Sequence, residues 1–284
     1  MSPTLVASDL TTPELSRRHP VPPDQFTFEL SERHVRGVIG ATAVVDSHNP
    51  LLVWEPGRAV PGYVFDRGDV RTDLLRPNTA HIVAKHARVG QRYDLVLDDA
   101  VYPGLVFEYD VDGLRGRLAF EWFRPGTEAK GVEHWYEEDE EIFVHPRDPY
   151  KRIDPLASSR HVEVYLDGIK LADTRRPVLL FETRLPIRYY IPPEDVDFSH
   201  LIATDLATAC PYKGNANYWS VTTDRGIYHN LVWSYQEPIR ASANIAGRLA
   251  FYNELVDLVV DGVALERPES EFTGLLGKVF QPHS

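Results

Sequence analysis

Gly116-Arg117-Leu118-Ala119-Phe120 occurs a second time, unchanged, as Gly247-Arg248-Leu249-Ala250-Phe251. Two further segments recur at nearly the same distance along the chain: Val53-Trp54-Glu55 returns as Leu180-Phe181-Glu182, and residues 105–109 return as residues 231–235. A nearly constant spacing that drifts by a few residues is typical of an old duplication with insertions in its loops. We therefore expect two copies of one domain.

The composition agrees with two domains and narrows the choice of partners. A chain of 284 residues fits two domains of ordinary size. The net charge of −12 argues against nucleic acid and against a membrane surface as partners, because both are bound through basic residues. The chain has no apolar run of about eighteen residues that would predict a transmembrane helix. It has one cysteine, Cys210, and residues 1–30 lack the apolar core of a secretory signal, so we expect a cytoplasmic protein.

The second copy has the pattern of short strands joined by tight turns. Polar and apolar residues alternate over 161–166, and Asp167-Gly168 then predicts a two-residue hairpin turn, as does Asp261-Gly262 further on. The helical candidates, residues 194–200 and 241–246, are shorter than the roughly twelve residues that an independent helix needs. The predicted fold is mainly β: two tandem, compact, antiparallel β-rich domains related by internal duplication, with only short helices.

The patterning divides the chain into five parts. We expect a polar arm over 1–32, a degenerate first β-rich repeat over 33–125, an acidic insertion and linker over 126–158, a second β-rich repeat with the candidate site over 159–272, and a C-terminal tail over 273–284. The insertion contains five consecutive acids, Glu137 to Glu141, which indicate a solvated surface segment or a surface for docking a partner. The charges and prolines between His145 and Arg152 favour an extended connector.

The two copies differ most over residues 208–220, a polar stretch that contains Cys210-Pro211-Tyr212-Lys213-Gly214 and has no counterpart in the first copy. We expect it to be a loop, and we place any activity there. Cys210 and Lys213 are the candidate catalytic residues, because a nearby lysine lowers the pKa of a thiol and so favours the nucleophilic thiolate. The alternative is that Cys210 is a small buried hydrophobic residue.

The same region supplies candidate ligand-binding residues. An arginine presents forked donors to a carboxylate or phosphate. The alternative for both Arg188 and Lys213 is a structural salt bridge, for example to Glu182. A glutamate is either a general base or an acceptor for loop amides. Aromatic residues at alternating strand positions either line a cleft or fill the core. The predicted ligand-binding residues are Glu182, Arg188, Tyr190, Tyr212, Tyr218 and Trp233.

The second copy resembles the bacterial domain of unknown function 427 family over about residues 160–270. The resemblance rests on residues 180–183, 188–190, 210–214, 218–220, 233–235 and 251–252, which carry the motifs Leu-Phe-Glu-Thr, Arg-Tyr-Tyr, Cys-Pro-Tyr-Lys-Gly, Tyr-Trp-Ser, Trp-Ser-Tyr and Phe-Tyr in that order. The first copy is similar to a degenerate member of the family, and the layout with two copies is similar to its longer members. The resemblance implies a small β-rich domain and brings no settled reaction.

Several site classes are missing from the sequence. It has no Gly-x-Ser-x-Gly elbow, no phosphate-binding loop, no dinucleotide-binding glycine motif and no zinc-ligand spacing, so we expect no metal site, and the cofactor is unknown. His86 can be aligned near the first-copy counterpart of Cys210. We expect the second repeat to bind or transform a small polar or anionic molecule. A non-catalytic interaction module and a magnesium-dependent nucleotidyltransferase remain as alternatives, and both enzymatic activity and homo-oligomer formation stay open.

Overall fold

The computed structural model describes residues 25–58, 60–79, 86–122, 131–270, 273 and 279–282. It divides into two compact units, and the boundary falls between Asp148 and Pro149, inside the predicted connector. We call the part up to Asp148 the first repeat and the part from Pro149 the second repeat. The predicted arm up to residue 24, residues 126–130 of the insertion and most of the C-terminal tail lie outside the described residues.

The described part of the first repeat forms two antiparallel sheets. One has the strand order β1-β4-β5-β9-β8-β7-β6 and the other has the order β11-β10-β2-β3. Two 3₁₀ turns, Arg67–Asp69 and Thr72–Leu74, precede β6. The strands are β1 (Thr27–Leu30), β2 (Val35–Ile39), β3 (Thr42–Ser47), β4 (Leu51–Trp54), β5 (Gly62–Phe65), β6 (Leu75–Asn78), β7 (Val89–Leu97), β8 (Ala100–Tyr109), β9 (Leu118–Phe120), β10 (His134–Glu137) and β11 (Glu140–Ile142).

The second repeat forms sheets with the strand orders β12-β15-β16, β14-β13-β21-β22 and β17-β18-β19-β20, and β23 pairs with β19. A bridge between Ile191 and Leu249 links the end of β16 to β20. The strands are β12 (Ile153–Ala157), β13 (Val162–Leu166), β14 (Ile169–Thr174), β15 (Val178–Glu182), β16 (Arg188–Tyr190), β17 (Leu201–Cys210), β18 (Gly214–Thr223), β19 (Gly226–Tyr235), β20 (Leu249–Phe251), β21 (Asp257–Val260), β22 (Val263–Ala264) and β23 (Phe280–Pro282).

Strands β12 to β22 repeat the pairing of β1 to β11 in the same order. The register agrees as well: Val35 pairs with Ser47 in the first repeat, and Val162 pairs with Thr174 in the second. In both hairpins, β2–β3 and β13–β14, the register then shifts after the same position, Gly37 in the first repeat and Val164 in the second. The predicted tandem, mainly β, antiparallel fold is therefore confirmed.

The local predictions of turns and helices are also supported. Asp167 and Gly168 have φ angles of 50° and 80°, and Asp261 and Gly262 have φ angles of 53° and 81°, as a two-residue hairpin turn requires. The helical candidates of the second repeat are 3₁₀ turns at Pro193–Asp195, Phe198–His200 and Arg240–Ile245. Among the described residues, no helix is long and apolar enough to span a membrane.

The expected loop over residues 208–220 is instead a β-hairpin made of β17 and β18, with Cys210 paired to Gly214. The prediction of a loop was wrong because β17 is exposed or half-buried along its whole length. A strand that buries neither face lacks the alternation of polar and apolar residues that reveals a half-buried strand. Cys210 and Lys213 therefore flank a tight turn rather than lying in an open loop.

Two segments outside the predicted first repeat contribute strands to it. β1 lies within the predicted arm and pairs with β4. The acidic run spans the hairpin of β10 and β11, and its first residue, Glu137, is buried. Glu137 accepts hydrogen bonds from Tyr63 Oη and Arg33 Nη1, both at 3.0 Å. One of the five acids is therefore an internal acceptor, whereas Glu138, Asp139 and Glu140 are exposed.

Each repeat has apolar side chains on both faces of its larger sheet. In β15 of the second repeat, Leu179 belongs to the cluster shared with the four-stranded sheet, and Leu180 belongs to a separate cluster with Tyr190, Tyr218 and Trp233. The first repeat shows the same alternation in β4. Because successive strand residues point to opposite faces, Glu182 lies on the face of Leu180.

The turn between β17 and β18 generates the first prediction. Gly214 has a φ angle of +101°, and a Cβ atom there would lie 3.2 Å from the carbonyl oxygen of Glu237. We expect Gly214→Ala to lower the free energy of unfolding by about 1–3 kcal/mol, as measured by urea denaturation. Gly168→Ala is the matched control, because Gly168 also has a positive φ angle but its Cβ would meet nothing within 4 Å. A loss no larger than that of the control would contradict the close approach to Glu237.

Candidate functional site

A buried glutamate shared by two lysines lies at the centre of the candidate site in the second repeat. Lys213 Nζ donates to Glu182 Oε2 at 2.5 Å, and Lys151 Nζ lies 2.9 Å from Glu182 Oε1. The exposed fractions of the side chains are 3% for Glu182, 10% for Lys213 and 28% for Lys151. Burial by itself raises the pKa of Glu182, but the charges and hydrogen bonds of the two lysines outweigh it and hold this pKa below its usual value.

The turn that carries Lys213 is held by backbone contacts on both sides. Lys213 N donates to Cys210 O at 3.2 Å, and Ile239 N donates to Lys213 O at 3.1 Å. Ser242 Oγ donates to Tyr212 O at 2.9 Å. These bonds fix the backbone of the turn, so that the lysine side chain starts from a defined position beside β15.

Tyr212 and Cys210 flank this lysine. Lys151 Nζ lies 5.3 Å from the centroid of the Tyr212 ring, within the range of a cation–π interaction. Cys210 is half-buried and packs against the cluster of Leu180 and Tyr190. The site therefore combines two ammonium groups, one carboxylate, an aromatic face and a thiol.

The predicted aromatic residues are buried together rather than spread over an open surface. Tyr190, Tyr218 and Trp233 belong to one cluster, with Tyr235 as a further member. Trp233 Nε1 donates to Tyr190 Oη at 3.1 Å. Burial raises the pKa of Tyr190 and of Tyr235 far above the usual value of a tyrosine. These phenols therefore act as neutral hydrogen-bonding groups beneath the site.

Arg188 is engaged by other side chains of the second repeat. Its Nη1 and Nη2 donate to the two carboxylate oxygens of Glu254 at 2.6 Å each, and Nη1 also donates to Asn253 Oδ1. Its guanidinium lies 5.6 Å from the ring centroids of Trp233 and Tyr252. Burial raises the pKa of Glu254, but Arg188 outweighs this effect and lowers it. The forked contact that was expected for a ligand is therefore made to an internal carboxylate.

The structure thus brings most of the predicted residues into one region. Glu182 and Lys213 form an ion pair, Cys210 and Tyr212 share the turn with Lys213, and the buried aromatic cluster adjoins them. Sequence reasoning missed Lys151, which lies in the predicted connector. The alternation of side chains along β15 places Glu182 on a buried face. Because a buried carboxylate needs a cation beside it, this alternation indicated that a lysine or arginine from another segment contacts Glu182.

The first repeat carries the equivalent ion pair. Glu55 corresponds to Glu182, and Tyr109 corresponds to Tyr235 in the repeated strings. Val89 pairs with Tyr109 as Ala216 pairs with Tyr235. His86, three residues before Val89, therefore corresponds to Lys213, three residues before Ala216. The strand pairing moves the alignment of His86 from near Cys210 to Lys213, so the first repeat has a counterpart of Lys213.

Within the part of the chain that the structure describes, two groups of side chains have their ligand atoms close enough to hold a metal ion. They are His34, Asp46 and His48 in the first repeat, and His161, Glu163 and Asp173 in the second, with atoms within 4.8 Å of one another. Each group is exposed or half-buried. Each also contains a direct contact between histidine and aspartate, at 2.6 Å in the first repeat and 2.7 Å in the second, so a metal ion would have to replace that contact.

The protein is defined by two tandem β-rich domains of one topology. Each domain has a buried glutamate that is paired to a cation from the turn before its seventh strand, which is β7 in the first repeat and β18 in the second. The chain belongs to the family described as Domain of unknown function (DUF427), whose model matches residues 27–130 and 154–262. Both repeats are therefore members of the family. No curated protein shows a significant match to the chain.

The pair of Arg188 and Glu254 generates a prediction on stability. Arg188→Met leaves the Glu254 carboxylate buried without its cation, so we expect the free energy of unfolding to fall by about 3–5 kcal/mol. Urea denaturation followed by tryptophan fluorescence measures this loss. Glu254→Gln added to Arg188→Met removes the unpaired charge and should recover part of the stability. A double variant no more stable than Arg188→Met would contradict the pairing.

The ion pairs of Glu182 generate a prediction on pH. The folded pKa of Glu182 is lowered, so its contribution to stability is complete above the unfolded pKa of about 4.3. That contribution is lost as the pH falls through the lower folded pKa. We expect Glu182→Gln to lower the melting temperature at pH 7, and we expect this difference to shrink as the pH falls below about 4.3. A difference independent of pH would show that the charge of Glu182 has no part in it.

Proposed function

We propose that the second repeat binds a small anionic molecule at the turn between β17 and β18, with Lys213 and Lys151 supplying the positive charge. One observation carries the proposal: two lysines share a single buried carboxylate, Glu182. Their charges leave an excess of one positive charge at the site. An anion placed beside the lysines would neutralise that excess, and the low exposure of Lys213 would strengthen the attraction.

The other residues of the site have supporting roles in this proposal. Tyr212 positions Lys151 through its ring. Tyr190, Tyr218 and Trp233 form the floor beneath the turn and keep it rigid. Arg188 holds that floor through Trp233 and its pair with Glu254. If the bound molecule is also transformed, Cys210 would be the nucleophile and Lys213 the cation that stabilises its thiolate.

The other two functions receive less support from these contacts. Magnesium-dependent nucleotidyl transfer uses carboxylates that are free to hold the metal ion, but Glu182 is engaged by two lysines and Glu254 by Arg188. A non-catalytic interaction module would use the exposed acids of the β10–β11 hairpin. It would leave the excess charge beside Glu182 without a role. Binding of a small anion therefore accounts for more of the site.

The single thiol provides a direct test of the proposed function. We expect inorganic phosphate to slow the alkylation of Cys210 by iodoacetamide severalfold, measured by intact-mass spectrometry, because an anion at the turn would shield the thiol. Lys213→Met should abolish this protection. Lys170→Met is the matched control, since Lys170 is an exposed lysine of the same repeat that pairs with Glu163 and Asp173, and protection should persist there. Equal alkylation rates with and without phosphate would refute the proposal for phosphate-like anions.

A further inference from the structure

The first repeat contains a cavity at the position where the second repeat has Arg188. Leu180 pairs with Arg188 in the second repeat, and the equivalent residue Val53 pairs with Gly62 in the first. A Cβ atom built on Gly62 would meet nothing within 4 Å. Gly62 lines a cavity of about 280 Å³, which is close to the lower end of the range for small-molecule pockets.

One end of this cavity is charged. His86 Nδ1 contacts Glu55 Oε1, and His86 Nε2 lies 3.2 Å from Glu121 Oε2. Arg58 Nε lies 3.3 Å from Glu55 Oε1, and Arg92 Nη1 donates to Glu121 Oε1 at 3.1 Å. Three cationic side chains thus surround two carboxylates when His86 is protonated, which leaves an excess of one positive charge.

The contacts of His86 favour its protonated form. Burial lowers the pKa of His86, but its hydrogen bonds and charge interactions with Glu121 and Glu55 outweigh that effect and raise it. Burial raises the pKa of Glu121, yet His86 and Arg92 bring it down to about 2. His86 is therefore protonated below the usual imidazole pKa of about 6.5.

Three buried donors of this region, Trp122 Nε1, Trp135 Nε1 and Arg92 Nη2, have no partner among the residues that the structure describes. Trp122 lines the cavity, and its Nε1 atom is buried without a hydrogen bond. Its indole stacks on Trp135 with ring centroids 4.2 Å apart, which fixes its orientation. Arg92, which is 7% exposed, likewise has an unpartnered Nη2 atom. These donors have almost no accessible surface, so a molecule in the cavity would not reach them, and Trp122 lines the cavity through other atoms.

The remaining walls are mainly apolar. They are formed by side chains such as Val60, Phe120, Val144 and Pro146. Apolar walls favour a ligand with an apolar body, because its transfer from water is then favourable. The charged end favours an acceptor group with one negative charge. A carboxylate joined to a small apolar body combines both properties.

We propose that the first repeat binds a small apolar carboxylate in this cavity, with the carboxylate directed to the cationic group around His86. The site is separate from the proposed anion site of the second repeat, and the two proposals do not depend on each other. It assigns a binding role to the repeat whose sequence looked degenerate. Gly62 makes room for the ligand, and the cations beside Glu55 and Glu121 provide its recognition.

Benzoate is a suitable probe, and the indole N–H signal of Trp122 is a local readout. In the full chain labelled with ¹⁵N at pH 6, the Trp122→Phe variant assigns this signal among the five tryptophans. We expect benzoate to shift it saturably, and benzyl alcohol, which has no charge, to bind at least tenfold more weakly. A response that rises linearly without saturation, or equal affinity for the two probes, would overturn the proposal.

A matched pair of glycine variants tests the location of the ligand. Gly62→Phe places a side chain in the cavity and should abolish the response to benzoate. Gly68→Phe is the control, because a Cβ on the exposed Gly68 also meets nothing within 4 Å and Gly68 does not line the cavity. Gly62→Val replaces Gly62→Phe if the larger variant loses its dispersed spectrum. An unchanged benzoate response in a folded Gly62 variant would contradict the proposed site.

Discussion

A buried carboxylate at the end of one strand is the constraint on which both repeats depend. Glu55 and Glu182 follow the same apolar strand, and both are directed inward by the alternation of that strand. An unpaired carboxylate in such a place is strongly destabilising, so a cation has to reach it. In both repeats this cation comes from the turn that precedes the seventh strand, β7 or β18. The ion pair therefore fixes the position of this turn relative to the sheet.

The two repeats meet this constraint with different chemistry. Lys213 brings a compact ammonium to Glu182, and Lys151 adds a second one. His86 brings an imidazole to Glu55 and also contacts Glu121. The contacts of His86 with Glu121 and Glu55 raise the pKa of its imidazole above the usual value. One scaffold therefore supports two different cationic partners for the same buried carboxylate.

An arginine also lies over an equivalent aromatic ring in each repeat, although it comes from a different strand. Arg188 of β16 lies over Trp233, and Arg92 of β7 lies over Phe107. In the first repeat, Arg92 of β7 places its guanidinium over the aromatic ring. The residue that corresponds to Arg188, Gly62, therefore needs no cationic side chain. The first repeat thus has a cavity at the position where the second repeat has Arg188.

The parts of the fold that depend on neighbouring residues could be predicted from the sequence. The Asp167-Gly168 turn has a local signature, because a two-residue hairpin needs positive φ angles at both positions. The strand β17 could not be predicted, because it buries neither face and so shows no apolar alternation. Lys151 escaped notice for a related reason: a charged residue in a connector is typical of a solvated segment, and only its contact with Glu182 shows otherwise.

The sequence by itself determined the duplication, the antiparallel β class and the region in which Glu182, Lys213 and Cys210 meet. Repeated strings, tight turns and the alternation of polar and apolar residues can all be recognised within short segments. Only the tertiary structure decided which cation faces each glutamate, that Arg188 is held by Glu254, and that Gly62 borders a cavity. These pairings join residues that lie far apart in the chain. They arise only when strand register brings the residues together, and no local pattern records that register.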